Sequence, residues 1–252
     1  MTKKIALITG ATSGIGKATA ELLAQKGYHL ILCGRRLDRL KKIHQNLSRQ
    51  TTATYLNFDI QSADEVKKAI ESLPKKWKSI DILINNAGNA HGLDFIHEGN
   101  LNDWNAMIDT NIKGVLYISK LIIPEMVRRK KGHIIIIGSI AGKEVYTKGN
   151  VYCATKHAID ALTKGIRMDL NPYGIKVTAI HPGLVETEFS IVRFKGDAKK
   201  ANEVYKGYQP LHPKDIANTI LYTLETPPHV VISDLTILPL AQAAATIVNK
   251  KV

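Results

Sequence analysis

Cysteine is scarce in this chain: among 252 residues it has two, Cys33 and Cys153. They form no CxxC pattern, so we expect neither a disulfide scaffold nor a cysteine metal site, and free thiols indicate a reducing compartment. We therefore expect a cytoplasmic protein. The nine histidines show no HExxH or similar ligand spacing, and we expect no catalytic metal.

Apolar runs long enough to cross a membrane are also lacking. The apolar segment 235–248 is too short to span a bilayer. The stretch that follows Met1 breaks at Gly10 and continues into the fold, which is not the pattern of a signal peptide. We expect no membrane contact, and we predict that segment 235–248 packs in a subunit interface.

Acidic residues are too few to balance the basic ones: 22 Asp and Glu face 35 Lys and Arg, for a net charge of +13. Much of the excess lies in lysine-rich helix faces, such as 67–68, 75–76 and 128–131. Solvated helix faces explain that distribution, and no RNP, zinc-finger or basic-region pattern accompanies it. A nucleic-acid partner is therefore not expected.

What the chain does have is a regular alternation of strand-like and helical segments. Apolar runs at 4–9, 29–33, 53–58, 81–86, 133–138 and 175–181 indicate strands, and helical periodicity covers 17–26, 64–73, 102–126, 151–171 and 213–224. Nothing marks a linker or a repeat. The alternation predicts a single α/β domain over residues 1–252, with a doubly wound, mostly parallel sheet and helices on both faces.

A glycine-rich turn joins the first strand to the first helix. Gly10-Ala-Thr-Ser-Gly14-Ile-Gly16 has the spacing G-x-x-x-G-x-G, which differs from the usual dinucleotide fingerprint and, lacking Gly-Lys-Ser/Thr, from the phosphate loop of ATPases. A strand, a glycine turn and a helix N-terminus together form an anion site. The turn therefore predicts a bound phosphate, with Gly10, Ser13, Gly14, Ile15 and Gly16 around it.

A second cluster carries acid–base chemistry. Tyr152 and Lys156 are four residues apart in a helical segment and so share one face, and Ser139 lies upstream at a strand end. A phenol titrates near ~10, and a positive charge nearby lowers that pKa. We expect Lys156 to lower the pKa of Tyr152, and Ser139 to bind the same substrate oxygen.

These features, taken in order, resemble the short-chain dehydrogenase/reductase family. The resemblance rests on Thr9–Gly16, Asn85-Asn86-Ala87-Gly88, Asn111, Ser139, Tyr152, Lys156 and Pro182-Gly183. It implies a Rossmann-fold oxidoreductase with the catalytic tetrad Asn111, Ser139, Tyr152 and Lys156, in which Asn111 anchors a water chain. It also implies a homotetramer. The cofactor residues that it implies beyond the glycine turn are Asp59 beside the adenine, Ile60, Asn86, Ala87, Gly88, Tyr152, Lys156, Pro182, Gly183, Val185 and Thr187.

The charges after the second strand predict which nicotinamide cofactor is used. An acidic residue there binds the ribose 2′-OH of NAD, whereas arginine accommodates the 2′-phosphate of NADP. In this chain the strand at 29–33 is followed by Gly34-Arg35-Arg36, and no carboxylate occupies these positions. Two planar, permanently charged guanidiniums suit a phosphate dianion. We therefore predict NADP(H).

A narrower resemblance suggests the substrate. The segments 103–111, 149–152, 183–189 and 192–197 are similar to those of NADP-dependent 3-hydroxy acid dehydrogenases, which act on serine, allo-threonine and 3-hydroxypropionate-type or 3-hydroxyisobutyrate-type acids. Residues 184–212 would form a substrate lid. We hypothesise that Arg193 or Lys195 in that lid selects the substrate carboxylate. Close relatives carry a Gly-Gly pair where this chain has the single residue Glu186.

Two other functions remain open. A 3-oxoacyl-carrier-protein reductase, or another carbonyl reductase of the family, would share the tetrad. Carrier-protein reductases typically end in an Asp-Gly-Gly turn, whereas this chain continues Leu235-Thr-Ile-Leu-Pro. A dinucleotide-binding sensor without turnover is the more remote alternative, because a binding module needs no Ser-Tyr-Lys set.

Overall fold

The structure is a computed structural model, and it describes residues 4–251. These residues form one seven-stranded sheet with the order β3-β2-β1-β4-β5-β6-β7, in which every neighbouring pair is parallel. The strands are β1 (Ile5–Thr9), β2 (His29–Gly34), β3 (Ala53–Asn57), β4 (Ile82–Asn85), β5 (His133–Ile137), β6 (Lys176–Pro182) and β7 (Asp234–Ile237). The predicted α/β Rossmann fold is confirmed.

Nine α-helices lie in the described part of the chain. They are α1 (Gly14–Gln25), α2 (Leu37–Leu47), α3 (Ala63–Glu71), α4 (Leu101–Ile108), α5 (Gly114–Arg129), α6 (Asn150–Leu170), α7 (Phe189–Arg193), α8 (Ala198–Glu203) and α9 (Pro213–Leu224). Over residues 4–251, no helix has the length and apolar character needed to cross a membrane.

Alternate residues of the strands supply two separate cores, one on each face of the sheet. In β2, Leu30 and Leu32 pack in the core that contains α1, α2 and α9, whereas Ile31 and Cys33 pack in the core that contains α3, α5 and α6. Side chains alternate between faces because a strand has a period of two. Burial on both faces also explains why the strands are continuous apolar runs.

The helix predicted at 102–126 is interrupted. α4 passes into a π-helical turn, Asp109–Lys113, and only then into α5. A π turn adds one residue to a helical circuit and is frequent at functional sites. Here it contains Asn111, whose side chain is thereby displaced from the position that an uninterrupted helix would give it.

Segment 235–248 packs partly within the chain's own fold. Its first residues belong to β7, which pairs with β6 through contacts such as Ile180 with Leu235. Beyond the strand, the buried Gln242 accepts a hydrogen bond from the backbone N–H of Leu184 at 2.9 Å. These parts of the segment pack within the chain, whereas Leu240 is fully exposed and Ile247 is 60% exposed, so the interface stays a prediction.

Candidate active site

A cleft of about 710 Å³ opens at the carboxyl ends of the strands. The strand order reverses between β1 and β4. In an open α/β sheet that switch point is where ligands bind. The cleft is lined by every site residue predicted above except Gly16, Asn111 and Lys195.

The glycine turn has the backbone that its spacing predicts. Gly10 and Gly14 have φ angles of +65° and +50°, a region that side chains disfavour. Gly16 lies under the turn, and a Cβ there would be 2.3 Å from the carbonyl oxygen of Gly10. The backbone at this end of α1 is therefore open to a ligand, and Gly16 contributes by packing and not by lining the cleft.

The turn after β4 is held to β1 by Thr9. The Thr9 hydroxyl accepts hydrogen bonds from the backbone N–H groups of Asn86 and Ala87, both at 3.0 Å. The Asn86 side chain donates to the carbonyl oxygen of Thr9 at 2.9 Å. A Cβ on Gly10 would come within 2.9 Å of that same Asn86 amide. The two turns thus pack tightly against each other along the floor of the cleft.

The arginines after β2 lie on the rim of the cleft. Arg36 donates from Nη2 to the hydroxyl oxygens of Thr12 and Ser13, at 2.9 and 2.7 Å. Its Nη1 donates to a carboxylate oxygen of Glu188 at 2.8 Å. Arg35 is 61% exposed and lies 3.7 Å from Asp59, measured from Nη1 to Oδ2. The glycine turn and both guanidiniums therefore face one volume, which fits a dinucleotide with an additional phosphate.

Asn111 lies behind the cleft and holds three elements together. Its side-chain amide donates to the carbonyl oxygen of Asn89 at 2.9 Å and to the Thr155 hydroxyl at 3.1 Å, and its oxygen accepts from the Asn89 N–H at 2.9 Å. A Cβ on Gly88 would be 3.3 Å from the Asn111 oxygen and 3.6 Å from Lys156 Nζ. The π turn, the turn after β4 and helix α6 therefore meet at Asn111.

Ser139, Tyr152 and Lys156 meet inside the cleft. Ser139 begins a 3₁₀ turn, where its hydroxyl accepts from the Ala141 N–H at 3.1 Å. Lys156 Nζ donates to the carbonyl oxygen of Ile137 at 3.0 Å and lies 6.0 Å from the centre of the Tyr152 ring. Tyr152 and Lys156 are both buried.

The acid–base energetics differ from the sequence expectation. Burial raises the pKa of the Tyr152 phenol, and hydrogen bonding to Ser139 only partly opposes that effect. Burial also lowers the pKa of Lys156 to about 8. The predicted lowering of the tyrosine pKa is therefore not found in this structure: desolvation disfavours both charged forms, and the opposing effects on Tyr152 come from Ser139 and Arg193.

The two candidate carboxylate-binding residues are placed differently. The Arg193 guanidinium carbon lies 5.4 Å from the ring centres of both Tyr146 and Tyr152, and Nη2 donates to the Tyr146 hydroxyl at 2.8 Å. Lys195 is 59% exposed and lies 2.8 Å from Asp103, measured from Nζ to Oδ2. The structure brings Arg193 to the candidate site and leaves Lys195 outside it.

Several residues of the cleft carry no local sequence signal. Tyr146 and Phe189 bracket Tyr152; the Phe189 ring centre is 5.7 Å from that of Tyr152. Gln242 packs against Gly183, where a Cβ would be 2.2 Å from its Oε1. The contacts of Phe189 and Gln242 join segments far apart in the chain, so spacing along the sequence could not reveal them.

One group of possible metal ligands occurs within residues 4–251. Asp160, His181 and Asp234 bring their ligand atoms within 4.8 Å of one another. Lys143 Nζ lies between the carboxylates, 2.8 Å from Asp160 Oδ1 and 3.1 Å from Asp234 Oδ2. A second ammonium group, Lys164 Nζ, lies 2.7 Å from Asp160 Oδ2, so two cations already neutralise the two carboxylates. We assign the cluster to ion pairing beneath the Ser139 turn, whose carbonyl oxygen lies 3.2 Å from His181 Nδ1.

Residues 4–197 match the family model for short chain dehydrogenases. The chain belongs to this family. This short-chain dehydrogenase is 44% identical over 241 residues to a probable NADP-dependent dehydrogenase of Haemophilus influenzae, with 95% of each chain covered. It is 41% identical over 242 residues to the NADP-dependent 3-hydroxy acid dehydrogenase YdfG of Escherichia coli, with 96% of this chain and 97% of the relative covered.

Among solved structures, the short-chain dehydrogenase is similar to the closed form of a serine dehydrogenase in complex with NADP+. The TM-score is 0.92 at 40% identity, and the alignment covers 96% of this chain and 98% of that structure. The predicted family is confirmed, and with it the class of enzyme, an oxidoreductase that acts on a CH–OH group.

Proposed function

We propose that this short-chain dehydrogenase interconverts a short 3-hydroxy acid and its 3-oxo acid with NADP(H). The observation that carries the proposal is the position of Arg193. This half-buried cation lines the cleft, and its guanidinium carbon lies 5.4 Å from the centre of the Tyr152 ring. The relatives that are named as 3-hydroxy acid or serine dehydrogenases support the same substrate class. Serine, allo-threonine, 3-hydroxypropionate and 3-hydroxyisobutyrate are the candidate substrates.

The cofactor seat is assigned to the residues that line the cleft. The backbone of the glycine turn, with Ser13 and Ile15, would hold the pyrophosphate at the N-terminus of α1. Arg35 and Arg36 would hold the 2′-phosphate, and Asp59 and Ile60 would flank the adenine. The nicotinamide end would lie along Asn86, Ala87, Gly88, Pro182, Gly183, Val185 and Thr187. NADP(H), when bound, supplies the hydride.

Tyr152 is the proposed acid and base. Because burial raises its pKa, the phenol is protonated at neutral pH and is suited to donate a proton to the oxygen of a 3-oxo acid. In the oxidation direction the phenol must first lose its proton, and the phenolate oxygen then accepts the proton of the alcohol. Ser139 would donate a hydrogen bond to the substrate oxygen as negative charge develops there. Lys156 would supply positive charge from 6.0 Å beyond the centre of the Tyr152 ring. Asn111 would anchor the water chain that returns the proton.

The carboxylate of the substrate is assigned to Arg193. In a 3-hydroxy acid a single carbon separates the carboxylate from the reacting carbon, so the two groups must be bound close together. The guanidinium of Arg193 is 5.4 Å from the Tyr152 ring centre, and it can bind a carboxylate through two parallel N–H donors. Lys195 is not included in this assignment because Asp103 holds it outside the cleft.

Arg193 ends α7, so the proposed clamp lies in the segment 184–212 that we propose as a substrate lid. The family resemblance also favours a homotetramer. Leu116 of α5 and Met168 of α6 are apolar and 41% and 75% exposed, which suits a contact between copies of these helices. Light scattering after size-exclusion chromatography tests the tetramer directly.

The decisive experiment is an oxidation assay that follows NADPH formation. The panel pairs 3-hydroxypropionate and 3-hydroxyisobutyrate with their neutral methyl esters and adds serine, allo-threonine and simple secondary alcohols, with NADP+ and NAD+ in parallel. Turnover confined to the free acids with NADP+ is the expected result. Equal turnover of acids and esters would overturn the carboxylate clamp. In a parallel assay of NADPH consumption, activity only on a carrier-linked 3-oxoacyl thioester would favour the carrier-protein reductase.

A further inference from the structure

Glu188 joins the lid to the arginine rim of the cleft. It immediately precedes α7, and its Oε2 accepts from Arg36 Nη1 at 2.8 Å. Arg39 Nη1 donates to both oxygens of the same carboxylate, at 2.6 and 2.8 Å. The neighbouring Thr187 approaches the glycine turn, since a Cβ on Gly14 would be 3.3 Å from its methyl group. An acidic side chain of the lid thus lies on the guanidinium proposed for the 2′-phosphate.

The N–H donors of Arg36 are divided between the glycine turn and Glu188. Its Nη2 is bound by the hydroxyl oxygens of Thr12 and Ser13, which fixes the plane of the guanidinium. Its Nη1 is bound by Glu188 alone. The hydrogen bond from Arg36 holds the pKa of Glu188 below its usual range, so the carboxylate is charged at neutral pH. A phosphate and this carboxylate would repel each other and would use the same donors.

We propose that Glu188 is a specificity-determining residue, whose carboxylate competes with the cofactor 2′-phosphate for Arg36 and Arg39. The inference rests on the proposed role of Arg36. Arg39, a helical turn beyond it in α2, becomes a third basic residue of the phosphate site. A cofactor without the phosphate leaves the ion pairs intact, whereas NADP(H) displaces the carboxylate.

The competition also links the two ends of the cleft. Glu188 is followed directly by Phe189, whose ring packs on Tyr152, and α7 ends at Arg193 over the same ring. Displacement of the carboxylate releases the start of the helix that carries both contacts. Occupancy of the phosphate site and the position of the lid are therefore coupled, and the coupling requires no contact between the phosphate and the substrate.

The test is calorimetric binding of 2′,5′-ADP, which carries the 2′-phosphate, and of 5′-ADP, which does not. Wild-type protein is compared with E188Q and with E186Q. Glu186 is a matched control: it lies two residues away and is 54% exposed, and its nearest basic partner is His212 at 4.0 Å. All three proteins are intact chains, so thermal unfolding confirms that each is folded before titration.

We expect E188Q to bind 2′,5′-ADP roughly 1.5-fold to fivefold more tightly, the range of a partly exposed ion pair, with 5′-ADP binding unchanged. E186Q should match the wild type for both ligands. Unchanged or weaker binding of 2′,5′-ADP by E188Q would overturn the proposal, since the carboxylate would then orient the arginines. An equal gain in affinity for both ligands, or the same gain in E186Q, would also overturn the proposal, because it would show a general effect of removing negative charge.

An R36A variant separates this inference from the proposed function. If R36A weakens 2′,5′-ADP binding and E188Q has no effect, only the competition is wrong. If R36A leaves the preference for 2′,5′-ADP unchanged, the proposed phosphate site itself is wrong, and the inference is overturned with it.

Discussion

The guanidinium carbon of Arg193 lies 5.4 Å from the centre of the Tyr152 ring, inside the cleft and beside the Tyr146 hydroxyl. A cation over an aromatic face is attracted by the ring quadrupole. The contact positions the proposed carboxylate-binding group next to the proposed proton donor, although the two residues belong to different helices. It therefore relates substrate choice directly to the chemistry.

Replacement of Arg193 tests the clamp. We expect Arg193→Ala to lower kcat/KM for a 3-hydroxy acid by about tenfold to a hundredfold, because a hydrogen bond to a charged group contributes about 1.5–3 kcal/mol. Most of the loss should be in KM, measured by steady-state kinetics. Lys195→Ala is the control and should change KM little, since Lys195 binds Asp103. An unchanged KM in Arg193→Ala would contradict the assignment.

Tyr152→Phe removes the proposed acid and keeps the ring that Phe189 and Arg193 contact. We expect kcat to fall by about 10²–10⁴-fold, the usual contribution of a positioned proton donor. The Kd for NADP+, measured by the quenching of protein fluorescence, should stay within about twofold of the wild-type value, which is a change of only about 0.4 kcal/mol in binding free energy. A variant with substantial turnover would show that another group transfers the proton.

The buried Lys156 makes stability depend on pH in a defined direction. Its pKa falls from 10.5 to about 8 on folding, so between these values the unfolded chain binds a proton that the folded protein does not. Stability therefore rises with pH across this window and is lost as pH falls through it, by about 3 kcal/mol in total. Urea unfolding at several pH values should show this rise in the wild type relative to Lys156→Met. Parallel curves for the two proteins would contradict the assignment.

Two helical glycines should respond in opposite ways to alanine. In Gly16→Ala the new Cβ would meet the Gly10 carbonyl oxygen at 2.3 Å, so we expect lower thermal stability and loss of NADP+ binding. Gly165 in α6 has open space around the same position. Gly165→Ala should stabilise the protein by about 0.5–1 kcal/mol through lower chain entropy in the unfolded state. Calorimetric unfolding and cofactor titration measure both, and equal effects would contradict the role of Gly16.

Local sequence patterns predicted a helix or strand well where the residues of the pattern themselves cause that element to form. The strand at 29–33 is an apolar run because both faces of the sheet are covered, and α9 has the predicted bounds because Pro213 can start a helix and cannot continue one. The glycine spacing predicted the turn because only glycine adopts its φ angles easily. The Tyr152–Lys156 spacing predicted that both side chains face the same cleft.

Other features depend on contacts that no local pattern records. The π turn at Asn111 exists because its side chain binds the backbone of Asn89 from both edges. The raised pKa of Tyr152 comes from burial under Tyr146, Phe189 and the lid, whereas the sequence showed only the nearby lysine. Segment 235–248 contributes the edge strand β7, whose partner β6 is distant in the chain.

The sequence by itself therefore determined the doubly wound sheet, the family, the glycine turn and the residues of the proposed tetrad, since these follow from short local patterns and from the order of the patterns along the chain. Only the tertiary structure decided that Arg193 reaches Tyr152 while Lys195 pairs with Asp103, and that Glu188 lies on Arg36. These pairs join segments separated by many residues. Their distances depend on how the lid packs across the cleft, and a spacing pattern contains no information about that packing.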